Sequence, residues 1–180
     1  TLVDYLIGIF LDTNRSTLYD WNLRLKIMQL LLKSNSIGKY KDVMEVCKIG
    51  LNSPSLKLRK LSTDLIENLL KANKHDPGFE EFTTGIANDL RSSLASEVVS
   101  NDSSSSYNST LYAEKRSKYE TLGSILQSAP TIFVNDWSYI LFLLEAIDHE
   151  DSEVKVSIQN VLSSLSSHLN EISDSNKLAL

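Results

Sequence analysis

Glycine and proline are scarce in this chain of 180 residues: six Gly and three Pro, with one cysteine, Cys47, and three histidines. A single cysteine excludes an intrachain disulfide and fits the reducing interior of a cell, so an intracellular location, cytoplasmic or nuclear, is expected. So few turn-forming residues argue against a fold of many short strands, which needs Gly and Pro at its turns. Excess positive charge is also missing. The formal net charge is -5, so composition gives no general attraction to nucleic acid or to anionic membranes. Long apolar runs are lacking too. "LVDYLIGIFL" (2–11) and "WSYILFLLEAI" (137–147) are too short to span a bilayer, and the first has no basic leader. Both read as buried helices. Three Asn-x-Ser/Thr sequons, at Asn14, Asn101 and Asn108, are about what the Asn, Ser and Thr content yields by chance.

What is present is helical periodicity. Hydrophobic residues make up 42% of the chain and recur every three to four positions over stretches of ten to twenty residues. The expected fold is all-α, with eight helices at about 2–11, 18–33, 39–50, 54–73, 77–99, 110–128, 135–147 and 152–170. Gly50 is read as a stop, Ser53 as an N-cap before Pro54, Asp76 as a cap before Pro77, Asn135 or Asp136 as the start of the seventh helix, and Asp151 or Ser152 as the last cap. Short connections force neighbours to run antiparallel, which groups the helices into four hairpins, about 2–33, 39–73, 77–128 and 132–170.

The second helices of these hairpins share a register. Each contains one basic anchor: Arg24, Arg59, Arg116 or Lys155. Three residues on stand Ile27, Ser62, Tyr119 and Ile158; six on stand Leu30, Leu65, Leu122 and Val161. Ten on stand Leu69, Leu126 and Leu165 in three of the four, and the residue before the anchor is Leu23, Leu58, Lys115 or Val154. These offsets line one side of a helix. Arg24 to Arg59 is 35 residues and Arg116 to Lys155 is 39, both in the range of a helix-hairpin repeat. Arg59 to Arg116 is 57, and the surplus contains the Ser-rich stretch "SNDSSSSYNST". The register places that stretch as a mobile loop, about 100–110, inside the third hairpin rather than as a linker between domains.

"EDSEVKVSIQNVL" (150–162) and "SPSLKLRKLSTDLI" (53–66) resemble the second helices of HEAT repeats, which open on an acidic turn followed by Val-Arg and small or apolar residues. The chain is similar to the HEAT/armadillo superfamily over nearly its whole length, and HEAT and armadillo both stay open. The resemblance implies an α-solenoid segment of about four antiparallel hairpins, each burying its apolar face on the next. Three positions depart from the family pattern. Ser53 replaces the turn aspartate, Lys155 stands where arginine is usual, and Lys115 occupies an apolar position. Apolar sequence near both ends, "LVDYLIGIFL" and "NKLAL", leads us to expect further chain on at least one side.

Few residues suggest chemistry. His75 and His149 fall in expected turns and His168 near a helix end, without metal-ligand spacing or a His-Glu-x-x-His motif. "DHED" (148–151) gathers acids around one histidine, but a solvated turn capping the last helix is the favoured reading. Cys47, on a helix with no histidine nearby, reads as a core residue rather than a nucleophile. There is no phosphate-binding glycine loop and no nucleophile elbow, so the chain is expected not to be an enzyme and to need no cofactor. Trp21 and Trp137 could anchor a partner if exposed, but their position beside apolar runs favours the core.

The expected function is a non-catalytic scaffold for other proteins within a larger intracellular assembly. The alternative is a regulatory or transport solenoid that binds cargo, a phosphopeptide or nucleic acid. It would act through a basic ladder on the second helices, for which Arg24, Arg59, Lys60, Arg116 and Lys155 are the candidate residues, with Lys26, Lys57 and Lys118 beside them. An ordinary solvated face is the competing account of those cations. A tubulin-binding array is disfavoured, because the turns within the hairpins carry only Arg15 as a cation. A helical enzyme domain would need His75, His149 or Cys47 to cluster.

Overall fold

A computed structural model describes residues 1–12, 20–34, 39–73, 77–99 and 109–178. The described residues form nine helices: α1 (Leu2–Leu11), α2 (Asp20–Lys33), α3 (Tyr40–Leu51), α4 (Leu56–Ala72), α5 (Pro77–Val99), α6 (Ser109–Ser128), α7 (Thr131–Asn135), α8 (Ser138–His149) and α9 (Ser152–Leu178). The all-helical expectation holds, and no strand occurs among the described residues. Residues 100–108 of the Ser-rich stretch, the asparagines of the three sequons, Arg15, His75 and the Asp76 cap lie outside them. The chain divides into two compact units, Thr1–His75 and Asp76–Leu180, with the division between the second and third expected hairpins.

In the first unit α3 packs on α4 and α1 on α2. The second helices α2 and α4 also pack side by side, as do the first helices α1 and α3. The same two-layer arrangement recurs in the second unit, where α5 meets α6 and α8 meets α9 within hairpins. Between hairpins α6 packs on α9 and α5 on α8. Like helices stacked on like helices are the signature of an α-solenoid, in which the core is shared between neighbouring hairpins.

Local chemistry accounts for several helix ends and for the departures from expectation. Thr1 and Asp4 form a capping box on α1: the Thr1 hydroxyl accepts from the Asp4 N–H, while the Asp4 carboxylate accepts from the Thr1 backbone nitrogen. Lys39 reaches the same carboxylate at 2.7 Å and ties the start of α3 to α1. α4 begins at Leu56, two residues later than Pro54, because residues 53–55 close a turn instead. The Ser53 hydroxyl accepts from the Ser55 N–H at 3.0 Å, and the Ser53 carbonyl accepts from Arg59 Nη1 at 2.7 Å. Gly50 does not stop α3. The helix runs through it to Leu51, and Gly50 is buried where a Cβ would lie 2.0 Å from Ser62 Oγ. Its role is close approach of α3 to α4. The short α7 was not expected. It starts just after Pro130, whose ring presets the helical φ, and ends at Asp136 in extended backbone. α8 therefore starts at Ser138 rather than at Asn135 or Asp136. α9 extends to Leu178, beyond the expected 170.

Candidate interaction surface

The repeat register is read directly in burial. The residue three past each anchor is buried in all four helices: Ile27, Ser62, Tyr119 and Ile158. Leu69, Leu126 and Leu165, ten past the anchor, are buried as well. α2 departs from the register, because Ile27, Met28 and Leu31 are its buried stripe and Leu30 is 51% exposed.

Lys115, the cation in an apolar position, has no exposed surface. Its ammonium donates to both oxygens of Glu150, at 3.0 and 3.2 Å, and the Tyr119 hydroxyl donates to Glu150 Oε1 at 3.1 Å. Glu150 is set by local backbone. It caps the C-terminus of α8 with its own N–H bonded to the Ala146 carbonyl and an extended ψ of 162°. The expectation of a solvated "DHED" turn therefore fails at Glu150 and holds at its neighbours. Asp148 and His149 are exposed, and Asp151 accepts from the Glu153 N–H at the head of α9. The Glu150 carboxylate joins the second helix of one hairpin to the turn of the next.

A second polar cluster fixes α8 to α5. Arg91 on α5 lies over the Tyr139 ring, 4.6 Å from its centroid, and hydrogen-bonds the Ser138 hydroxyl. The Tyr139 hydroxyl donates to Asn88 Oδ1 at 2.7 Å. Asp136 accepts from the Ser138 N–H at 3.0 Å, and the Ser138 hydrogen bonds, with the Arg91 charge, hold its carboxyl below the ordinary aspartate range. Burial pushes the Tyr139 hydroxyl above the ordinary tyrosine value. With Tyr139, Leu143 and Ala146 buried, the orientation of α8 is settled. Its opposite face carries Trp137 (56% exposed), Leu141 (58%) and Leu144 (50%). The helices at 2–11 and 137–147 are thus half-buried rather than buried, since Leu2 and Tyr5 on α1 are exposed as well. Neither Trp21 nor Trp137 is a core residue. In the sequence only Glu145 and Asp148 separate the uncovered face of α8 from the covered one, because both faces are otherwise apolar.

The basic anchors are not equivalent. Arg24 is half-buried, its guanidinium 5.4 Å from the Phe10 ring centroid and 5.6 Å from that of Trp21. Arg59 is buried and holds the Ser53 carbonyl. Lys60 is exposed and, with Lys57, Leu25, Gln29, Leu61 and Asp64, lines a groove of about 310 Å³ between α2 and α4. Arg116 is exposed, 3.9 Å from Glu153, and Lys155 is half-buried. Lys118 is buried and donates to the Ser93 hydroxyl at 3.2 Å. Arg24, Arg59 and Lys60 belong to the first unit, and Arg116 and Lys155 to the second.

Cys47 is buried in α3, and burial pushes its thiol well above the ordinary range, which keeps it protonated. A maleimide added to the native chain should leave Cys47 unlabelled, with full labelling only after denaturation; rapid native labelling would contradict this placement. Among the described residues no group of three or more His, Cys, Asp or Glu could hold a metal ion, and no helix is long and apolar enough to cross a membrane.

Hairpins stacked like on like, with polar groups spent on helix ends and inter-helix links, define an α-solenoid segment that offers helical faces. The chain belongs to the family described as Proteasome component ECM29, N-terminal, whose match covers residues 1–180. A curated relative, "Proteasome component ECM29" of Saccharomyces cerevisiae (strain ATCC 204508 / S288c), is 31% identical over 170 residues. That alignment takes in 88% of this chain and 9% of the relative, so the chain spans under a tenth of the relative's length. No solved structure matches.

Proposed function

We propose that this segment is a non-catalytic protein-protein interaction scaffold within an intracellular, proteasome-associated assembly. The observation that carries the reading is the family match over all 180 residues, together with a yeast relative named as a proteasome component. The solenoid architecture supports it, because stacked hairpins present extended surface at little cost to their shared core. Its partners are other proteins, and neither nucleic acid nor a cofactor is needed for this role.

Affinity purification of the full-length parent from cells, with and without residues 1–180, tests the proposal. Proteasome subunits recovered per mole of parent should fall when the segment is deleted. Equal recovery from both forms would remove the segment from that role.

A further inference from the structure

The seam between α2 and α4 holds a basic groove in a chain whose formal net charge is -5. The groove, of about 310 Å³, is floored by the half-buried Leu25 and Leu61 and rimmed by the exposed Gln29, Lys57, Lys60 and Asp64. Lys57, Lys60, Leu61 and Asp64 stand at i, i+3, i+4 and i+7, which keeps them on one side of α4, away from the buried Ser62, Ile66 and Leu69. Hairpins stack along the rows α1–α3 and α2–α4. A hairpin added before the first or after the second extends those rows and leaves the seam between α2 and α4 open.

Positive charge is in excess around this groove. α2 carries no acid from Trp21 to Lys33, and α4 none from Leu56 to Thr63. Lys26 and Lys33 stand three residues before and four after Gln29, on its side of α2, and both are exposed. Asp64, one turn after Lys60, offsets one of the four ammonium groups. Glu67, further along α4, is paired with Lys71. Among the described residues none of Lys26, Lys33, Lys57 and Lys60 has an ion-pair partner.

The lining selects the occupant. The arginines that would grip a phosphate with two prongs are turned inward, Arg24 onto Phe10 and Trp21, and Arg59 onto the Ser53 carbonyl. Lysines alone face the groove, and they suit carboxylates. No aromatic ring lines it to stack a base, which disfavours single-stranded nucleic acid. The two leucines can take an apolar side chain, and the Gln29 amide both donates and accepts, as a peptide backbone requires. A space of this size is too small to seat a helix about 10 Å across, so it fits a few residues of extended chain.

We propose that the groove between α2 and α4 binds an extended acidic segment of a partner protein, with Lys57 and Lys60 meeting its carboxylates and Leu25 and Leu61 an apolar side chain between them. The inference uses the seam alone and holds whichever assembly the parent joins.

The probe is a fluorescent peptide of Glu, Leu and Pro, its prolines preventing a helix, titrated against the full-length parent. Two counterparts carry Lys or phosphoserine in place of Glu. The Glu peptide should bind saturably, at least about tenfold more tightly than the Lys peptide, with affinity falling as salt rises. Lys57→Glu with Lys60→Glu should weaken it by about tenfold or more, while Lys41→Glu on α3 leaves it unchanged. Absence of saturable binding, or a loss no greater than that from Lys41→Glu, overturns the proposal. So does a phosphoserine peptide bound at least about tenfold more tightly than the Glu peptide, or binding of single-stranded oligothymidine that Lys57→Glu/Lys60→Glu abolishes, without peptide binding. A lower thermal midpoint in a Lys57→Gln/Lys60→Gln parent also overturns it, since that would show the parent's own chain filling the groove.

Discussion

Lys115→Met should destabilise the 180-residue chain by about 3–5 kcal/mol, because it strands the Glu150 carboxylate without its cation in a buried site. Far-UV circular dichroism in urea should show a midpoint lower by more than about 1 M. Glu150→Gln alone should also destabilise, since the ammonium then faces a neutral acceptor. The double variant Lys115→Met/Glu150→Gln should recover most of the loss. It removes both charges, and the glutamine oxygen still accepts from the Tyr119 hydroxyl. If the two single losses add in the double variant, the ion pair is not the cause.

Gly123→Ala should destabilise, although alanine is the better helix former. A Cβ on Gly123 would lie 2.6 and 2.8 Å from the two methyls of Val161 on α9, closer than carbon atoms tolerate. Val161 is buried on a helix, where a β-branched side chain has essentially one rotamer and cannot swing aside. Overpacking of this kind costs about 1–3 kcal/mol, partly offset by a propensity gain of about 1 kcal/mol. Val161→Ala placed in the same chain should restore much of the loss. Gly85→Ala is the control: nothing lies within 4 Å of its Cβ, so the same substitution should raise the thermal midpoint. A Gly123→Ala chain that gains stability as Gly85→Ala does would mean that α6 and α9 are not held this close.

The sequence made the fold legible wherever burial follows helical period. The anchor register marks the covered faces of α4, α6 and α9, since one apolar stripe meets one neighbour there. In α2 it places Ile27 correctly but misplaces Leu30, because Met28 and Leu31 complete the buried stripe there. Lys115 and Glu150 were each visible, as an oddity at a core position and as one acid among several. Only the fold brings residues 35 apart in sequence into contact, so neither announced the other. Trp137 shows the same limit. α8 is apolar around most of its circumference, and periodicity cannot say which arc a neighbour covers. The basic ladder was read from residue type alone. Type does not distinguish Arg59, folded onto a carbonyl, from Lys60 beside it in open solvent.

The α6–α9 contact carries one more consequence. In a linear array the energy divides into a share intrinsic to each hairpin and a share held at each junction between hairpins. At this junction a glycine admits close approach at mid-helix and a buried ion pair joins α6 to the cap of α8. Both contributions vanish together if the second hairpin detaches, so the junction share is large. The two hairpins of residues 76–180 are then a single cooperative block: amides in α6 and α9 should exchange with solvent at one shared rate, and fraying cannot halt between them.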